Sequence, residues 1–300
     1  MSIDALQIRN VARSRRVMRL LFLPAMFFAT AWSSRLPATE LEIRRNIAYT
    51  EPADTSRRLD VYTTAEAENW PIMVWIHGGG WKQGDKAGVQ SKPVAFIGHK
   101  FVFVSINYRF IPDVTVQEMT SDVAKAIRWV HDHAAEIGGD PGKLYIAGHS
   151  AGAHLAALVA VDESYLKAEG LSLSDVKGCV PVDTAVYDIA TQLKGIPAVR
   201  VRTYNPVFGD DPTIQKKLSP ITHVAKGKGI PPFLILHVAD RPDSTAQSKA
   251  FAEALKQAGV TASTFAAEGK NHGSINVDLG KPDDKPTAAL FEFLQSPQVE

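Results

Sequence analysis

An α/β fold, a mostly parallel sheet of eight strands with helices on both faces, is predicted by three observations in this sequence. From about residue 41 onward, short apolar or β-branched runs alternate with longer helical patterns, the order expected when crossover helices join parallel strands. The clearest helical pattern repeats its apolar residues at three and four positions and so carries one stripe to lay on a sheet. The 300 residues are 45% hydrophobic and 22% charged, enough to enclose one large core.

The strand candidates are, in order, Leu41–Tyr49, Arg58–Tyr62, Ile72–His77, Phe101–Asn107, Lys143–Ala147, Gly178–Val182, Phe233–His237 and Thr261–Ala266. Each is a short run rich in β-branched, aliphatic or aromatic residues, bounded by polar or turn-forming ones. The clearest helix is Val116–Ile137, where Met119, Val123, Ile127, Val130 and Ala134 form the stripe and Gly138-Gly139 ends it. A second, Thr245–Ala258, sets Phe251, Leu255 and Ala258 on one side and stops at Gly259. The stretch Asp188–Lys228 is less periodic and carries Pro197, Pro206, Pro212 and Pro220, which predicts a small cap or rim insertion. There is no internal repeat, low-complexity tract or domain linker.

Charge narrows the partners. With 33 basic and 32 acidic residues the net charge is +1, which gives no electrostatic case for nucleic acid or an acidic polymer. A small or neutral substrate fits better. The single cysteine, Cys179, lies in the apolar stretch Val176–Val182 and reads as a buried strand residue, so no disulfide forms within the chain. At the N-terminus Arg9, Arg13, Arg15, Arg16 and Arg19 precede the apolar segment Leu20–Trp32. That segment is shorter than the about twenty residues a membrane-crossing helix needs. With Ala29-Thr30-Ala31 as an A-x-A cleavage site, residues 1–31 read as an export signal, the mature chain starts at Trp32, and its destination is the periplasm or the medium. The competing reading is a membrane-surface helix or uncleaved anchor.

The chemistry begins at Gly148-His149-Ser150-Ala151-Gly152, which follows the run Lys143–Ala147. A strand, a tight turn and a helix start in this order make a nucleophile elbow, with Ser150 at its tip. A serine hydroxyl is a weak nucleophile and needs a base to take its proton and donors to hold an oxyanion. The loop His77-Gly78-Gly79-Gly80-Trp81, directly after a strand, offers the Gly79 and Gly80 N–H groups as donors beside that of Ala151. The base is His272, the one histidine after the last strand, in the polar loop Gly269-Lys270-Asn271-His272-Gly273. His223 falls in the irregular insertion and His237 at a strand end; His149 sits within the elbow, and His154, four residues beyond the serine on the helix, points away from where a base must stand.

The acid must hold the imidazole nitrogen that faces away from the serine. After the seventh strand the chain reads Val238-Ala239-Asp240-Arg241-Pro242-Asp243-Ser244. Asp240, nearest the strand end, is preferred to Asp243, which also reads as a turn or N-cap residue. Asp183, after the sixth strand, ranks third. Trp81 and Tyr108 are candidates for a substrate pocket, whereas Trp75, inside a strand, reads as core.

With these pieces placed, residues 41–295 resemble the α/β-hydrolase superfamily. Within it the chain is most similar to the group that includes hormone-sensitive-lipase-like enzymes, bacterial feruloyl and acetylxylan esterases and kynurenine formamidases. The motifs that carry the resemblance are His77-Gly78-Gly79-Gly80-Trp81, Asn107-Tyr108-Arg109, Gly148-His149-Ser150-Ala151-Gly152-Ala153-His154-Leu155 and Ser219-Pro220-Ile221. The resemblance implies an α/β-hydrolase fold, Ser150 as nucleophile, Asp240 as acid, His272 as base, and Gly79, Gly80 and Ala151 as oxyanion donors. One departure concerns the acid, since relatives commonly have D-x-x-V-P where this chain has Asp240-Arg241-Pro242-Asp243.

The expected activity is hydrolysis of short-chain, acetyl or aryl carboxylic esters, free or linked to polysaccharide, through an acyl-serine and with no metal or organic cofactor. Arylformamidase or peptidase chemistry on the same residues is the alternative enzyme reading, because pocket shape alone separates them. A non-catalytic binding role, known on this fold, is the alternative of a different class.

Overall fold

The computed structural model describes residues 40–195 and 204–296. The expected export segment, residues 1–31, and Pro197 of the rim insertion lie outside the described residues. Among the described residues no helix is long and apolar enough to cross a membrane.

All eight expected strands form: β1 (Glu42–Ala48), β2 (Arg58–Thr63), β3 (Trp70–Ile76), β4 (Val102–Ile106), β5 (Gly139–His149), β6 (Val176–Val182), β7 (Phe233–Val238) and β8 (Ala262–Ala267). They make one sheet in the order β1-β2-β4-β3-β5-β6-β7-β8. The pairs β1–β2 and β2–β4 are antiparallel, and every pair from β4 to β8 is parallel.

The central strands are buried on both faces, whereas the edge strand β1 is largely exposed, and the period-two alternation of strand side chains divides the sheet between two apolar layers. Ile72, Val74 and Ile76 of β3 point into one layer with Val104, Ile146 and Ile235, and Met73 and Trp75 point into the other with Phe103, Val180 and Leu236. The first layer is covered by Met119, Val123, Ile127 and Val130 of the helix Val116–Asp132, by the helix Ala151–Val161, and by Phe251 and Leu255 of the helix Pro242–Gln257. Phe96 of the helix Lys92–Gly98, Ile275, Leu279 and Leu290 cover the second.

Two boundaries differ from the sequence reading. The helix expected over Val116–Ile137 opens with a capping box between Thr115 and Glu118, but ends at Asp132 and is followed by a 3₁₀ turn, Ala135–Ile137. At this end the His133 ring stacks on Trp129 at 4.1 Å and its Nδ1–H donates to the Trp129 carbonyl at 2.8 Å, closing the last turn. The second helix begins at Pro242 rather than Thr245, because proline suits a first-turn position whose N–H has no partner. That earlier start leaves only Ala239–Arg241 between β7 and the helix, and it bears on the acid. The rim excursion between β6 and β7 holds the short helices Ile189–Gly195 and Pro212–Leu218.

Candidate active site

Ser150 sits between β5 and the helix Ala151–Val161 with φ 56° and ψ −115°, a conformation L-residues avoid. Its neighbours fix this turn. The Ser150 N–H donates to the Val182 carbonyl at 2.9 Å, tying the elbow to the end of β6. A side chain at Gly148 would meet the Gly152 carbonyl oxygen at 2.5 Å and that of Ile76 at 2.8 Å, and one at Gly152 would strike the Ile76 and His77 carbonyls. Both glycines are therefore required by the close approach of β3 to the helix start.

His272 Nε2 lies 3.0 Å from Ser150 Oγ, and His272 Nδ1 lies 2.7 Å from Asp183 Oδ2. Hydroxyl, imidazole and carboxylate thus form one continuous chain. Asp183 follows β6 directly, and β6 is the neighbour of β5, so the residue after β6 lies beside the elbow. Its N–H donates to the Leu236 carbonyl at 2.7 Å, fixing its backbone against β7.

The sequence choice of Asp240 is corrected by this geometry. Asp240 is exposed on the short β7 turn, and Asp243 is in the first turn of the following helix, with its Oδ2 3.8 Å from Arg241 Nη2. Arg241 takes the place expected of the acid: its guanidinium pairs with Asp183 Oδ2 and also lies 2.8 Å from His272 Nδ1. Asp183 Oδ1 accepts from Ser244 Oγ at 2.7 Å and from the Val238 N–H at 3.1 Å. Burial alone would raise the Asp183 carboxyl. The hydrogen bond from His272, the Arg241 charge and the Ser244 and Val238 donors outweigh it and hold Asp183 well below the ordinary carboxylate range.

The loop that carries His272 is closed on itself: Asn271 Oδ1 accepts from the N–H groups of Gly273 and Ser274, both at 2.9 Å. His149 Nε2 donates to the His272 carbonyl at 2.8 Å. Burial, with a smaller contribution from His272, pushes His149 down to about 3, so it remains a neutral donor. The His272 side chain is 44% exposed, leaving the reacting end of the chain open to solvent.

Opposite the serine, Gly79, Gly80 and Trp81 follow one another with φ of 134°, 63° and 62°. Lys82 and Gln83 N–H groups both close on the Gly79 carbonyl at 3.2 Å. A side chain on Gly78 would lie 3.1 Å from Ser150 Cβ, so its absence lets this loop press against the elbow. Ala151 N–H is in the first helical turn, where no intrahelical acceptor exists.

The two aromatic residues expected to line a substrate pocket are enclosed. Tyr108, 1% exposed, stacks on His77 at 4.6 Å and donates its hydroxyl to the His77 carbonyl, so it braces the glycine loop from behind instead of facing a substrate. Trp81 packs edge-to-face on His154 and Phe208, beneath the loop. Trp75 is core, as expected. His154, His223 and His237 are likewise spent elsewhere: His154 Nε2 bonds the Leu218 carbonyl, His223 the Lys217 carbonyl, and His237 is buried next to Thr245.

The chain is similar in sequence and fold to known proteins. A family model described as BD-FAE matches residues 59–255. The chain belongs to the BD-FAE family. Its sequence is 32% identical over 251 residues to esterase LipQ of Mycobacterium tuberculosis, an alignment spanning 80% of this chain and 58% of LipQ. The chain spans about half the length of the curated relatives it matches. Among solved structures, the thermophilic esterase Est2 of Thermogutta terrifontis superposes with a TM-score of 0.63 at 28% identity, covering 86% of this chain and 91% of Est2. A truncated carbohydrate esterase from gut microbiota shares the fold of this BD-FAE chain with a TM-score of 0.72 at 24% identity, covering 84% and 95%. The BD-FAE chain is thus an α/β hydrolase in fold, with an eight-stranded, mostly parallel sheet.

Proposed function

We propose that the chain is a serine carboxylesterase that cleaves short-chain, acetyl or aryl esters through an acyl-Ser150 intermediate. The observation that carries the proposal is the unbroken chain Ser150–His272–Asp183 at a strained elbow, set against a glycine loop. The esterases among its relatives and structural neighbours support the same reading.

In this mechanism His272 Nε2 takes the Ser150 proton as Oγ attacks the ester carbonyl. The N–H groups of Gly79, Gly80 and Ala151 hold the oxyanion that forms, in place before the charge develops. His272 then gives its proton to the leaving alkoxide, the C–O bond breaks, and the acyl group remains on Ser150. Water attacks next, loses a proton to the same nitrogen, and frees the acid as the proton returns to Oγ. Asp183 holds the Nδ1–H tautomer throughout and faces the imidazolium at its moment of charge. The arginine-rich leader and its A-x-A site support export, which brings the enzyme to esters met outside the cytoplasm, including acyl groups on polysaccharide.

Ser150→Ala tests the assignment. It lowers turnover of p-nitrophenyl acetate by several powers of ten and abolishes labelling by a fluorophosphonate, while the far-UV circular dichroism stays that of the parent. Retained turnover or retained labelling removes Ser150 from the reaction.

A further inference from the structure

One buried cation takes no part in this scheme. Lys92, at the first position of the helix Lys92–Gly98, has no solvent exposure, and among the described residues no carboxylate pairs with it. Its Nζ donates to the Asn276 carbonyl at 2.7 Å and to Gln90 Oε1 at 3.2 Å, and lies 4.6 Å above the Trp75 ring of β3. Burying an ammonium on a carbonyl, an amide and a ring face is costly, and an apolar side chain would fill the space without that cost. Burial pushes its pKa down to about 7.

The carbonyl it holds belongs to the segment that carries the base. Four residues after His272, Asn276 lies in the single-turn helix Ser274–Val277. Further on, Gly280 has φ 96°, and a Cβ there would lie 2.9 Å from both Lys92 N and Lys92 Cα. Residues 272–280 therefore fold over Lys92, with Ile275 and Leu279 buried in the same layer as Trp75. On the far side, His149 holds the His272 carbonyl. Elsewhere Lys270 Nζ pairs with Asp278 Oδ2 at 2.8 Å and the Gly280 N–H donates to Thr287 Oγ1 at 2.8 Å, while Lys92 and His149 take the main-chain carbonyls of Asn276 and His272, the two contacts on the stretch that carries the imidazole to the sheet edge.

We propose that Lys92 is a positioning residue for His272, locating the base through the Asn276 carbonyl so that Nε2 meets Ser150 Oγ. This rests on the esterase reading above. Displacement of a reacting group by about 1 Å costs roughly a hundredfold in rate without altering ground-state affinity in proportion, so loss of the contact appears in kcat and not in KM.

Lys92→Met keeps the unbranched stem and removes the donors. Expected is a cooperatively folded protein whose kcat on p-nitrophenyl acetate falls about ten- to a hundredfold with KM within about threefold. Its second-order rate of inactivation by a fluorophosphonate falls in step. Lys92→Gln, which retains a donor on a shorter arm, gives an intermediate kcat. If Lys92→Met fails to fold, Gly280→Ala, which forces a methyl against the Lys92 backbone, decides by the same pattern. A variant that melts lower but keeps more than half of the parent kcat overturns the proposal, as does a loss carried mainly by KM. A parent protein that labels with the fluorophosphonate yet leaves the ester intact refutes the ester reading alone, and the labelling rates of the variants still decide the role of Lys92. A parent that neither labels nor hydrolyses refutes both.

Discussion

Replacing Asp183 by asparagine, with Asp240→Asn as its partner, decides which carboxylate serves His272. Asp183 has no side-chain exposure, and its two oxygens receive His272 Nδ1, Arg241, Ser244 Oγ and the Val238 N–H. An asparagine there has the same shape but no charge, and its NH₂ group can present a donor where His272 needs an acceptor, which favours the wrong imidazole tautomer. The loss expected for such a change is about 10⁴ in kcat, which at about 1.36 kcal/mol per decade is roughly 5 kcal/mol of transition-state stabilisation. The parent Ser150, the glycine loop and the binding surface are untouched, so KM moves little. Asp240 is exposed and outside this network, and Asp240→Asn keeps kcat within about twofold of the parent, as surface changes do. The assay is steady-state hydrolysis of p-nitrophenyl acetate, with circular dichroism to confirm both folds. If Asp240→Asn loses the activity, or Asp183→Asn keeps more than a tenth of it, the geometry assigned to the acid is wrong.

Lys92 also predicts a pH dependence of stability. Its folded pKa is about 7 and its unfolded one about 10.4, so between those values the unfolded chain binds the extra proton and stability rises with pH. In urea melts from pH 7 to 10, Lys92→Met loses a slope of up to about 1.4 kcal/mol per pH unit relative to the parent; identical slopes contradict the assignment. For the export signal, protein recovered from the medium or periplasm of an expressing bacterium is expected to begin at Trp32 by mass spectrometry, and a chain retaining residues 1–31 there excludes cleavage at Ala29-Thr30-Ala31.

The strands were legible because most are buried on both faces and so appear as unbroken apolar runs, independent of what the rest of the chain does. Ser150 and His272 were legible for a different reason. An elbow requires glycines at fixed spacing, which local sequence displays, and His272 stands alone after the last strand. Asp183 was not legible to the same degree, because its fitness depends on which strands are neighbours. The order β5-β6-β7-β8 sets the ends of both β6 and β7 between the elbow after β5 and the His272 loop after β8, and the pattern of residues along each strand says nothing about which end turns a carboxylate inward. On the three-residue turn Ala239–Arg241 it is Arg241 that reaches His272 and Asp183, while Asp240 stands exposed. Tyr108 misled for a related reason. An aromatic residue after a strand reads the same whether it faces a pocket or, as here, bonds the back of the glycine loop.

The place of the acid also accounts for the arginine after β7. A carboxylate buried without exposure loses its water on every side, and His272 offers it a single donor. Asp183 would then spend most of the cycle as a poorly compensated buried anion, or take up a proton and cease to accept from Nδ1. Arg241, Ser244 and Val238 remove that difficulty by supplying a permanent cation and two neutral donors. The cation shares Oδ2 with the imidazole, so the two compete for one oxygen, and Oδ1 is already taken by Ser244 and Val238. An acid after β6 thus needs a partner from β7 to remain an acceptor, and the turn that holds the carboxylate in the D-x-x-V-P pattern holds its counter-ion in this chain.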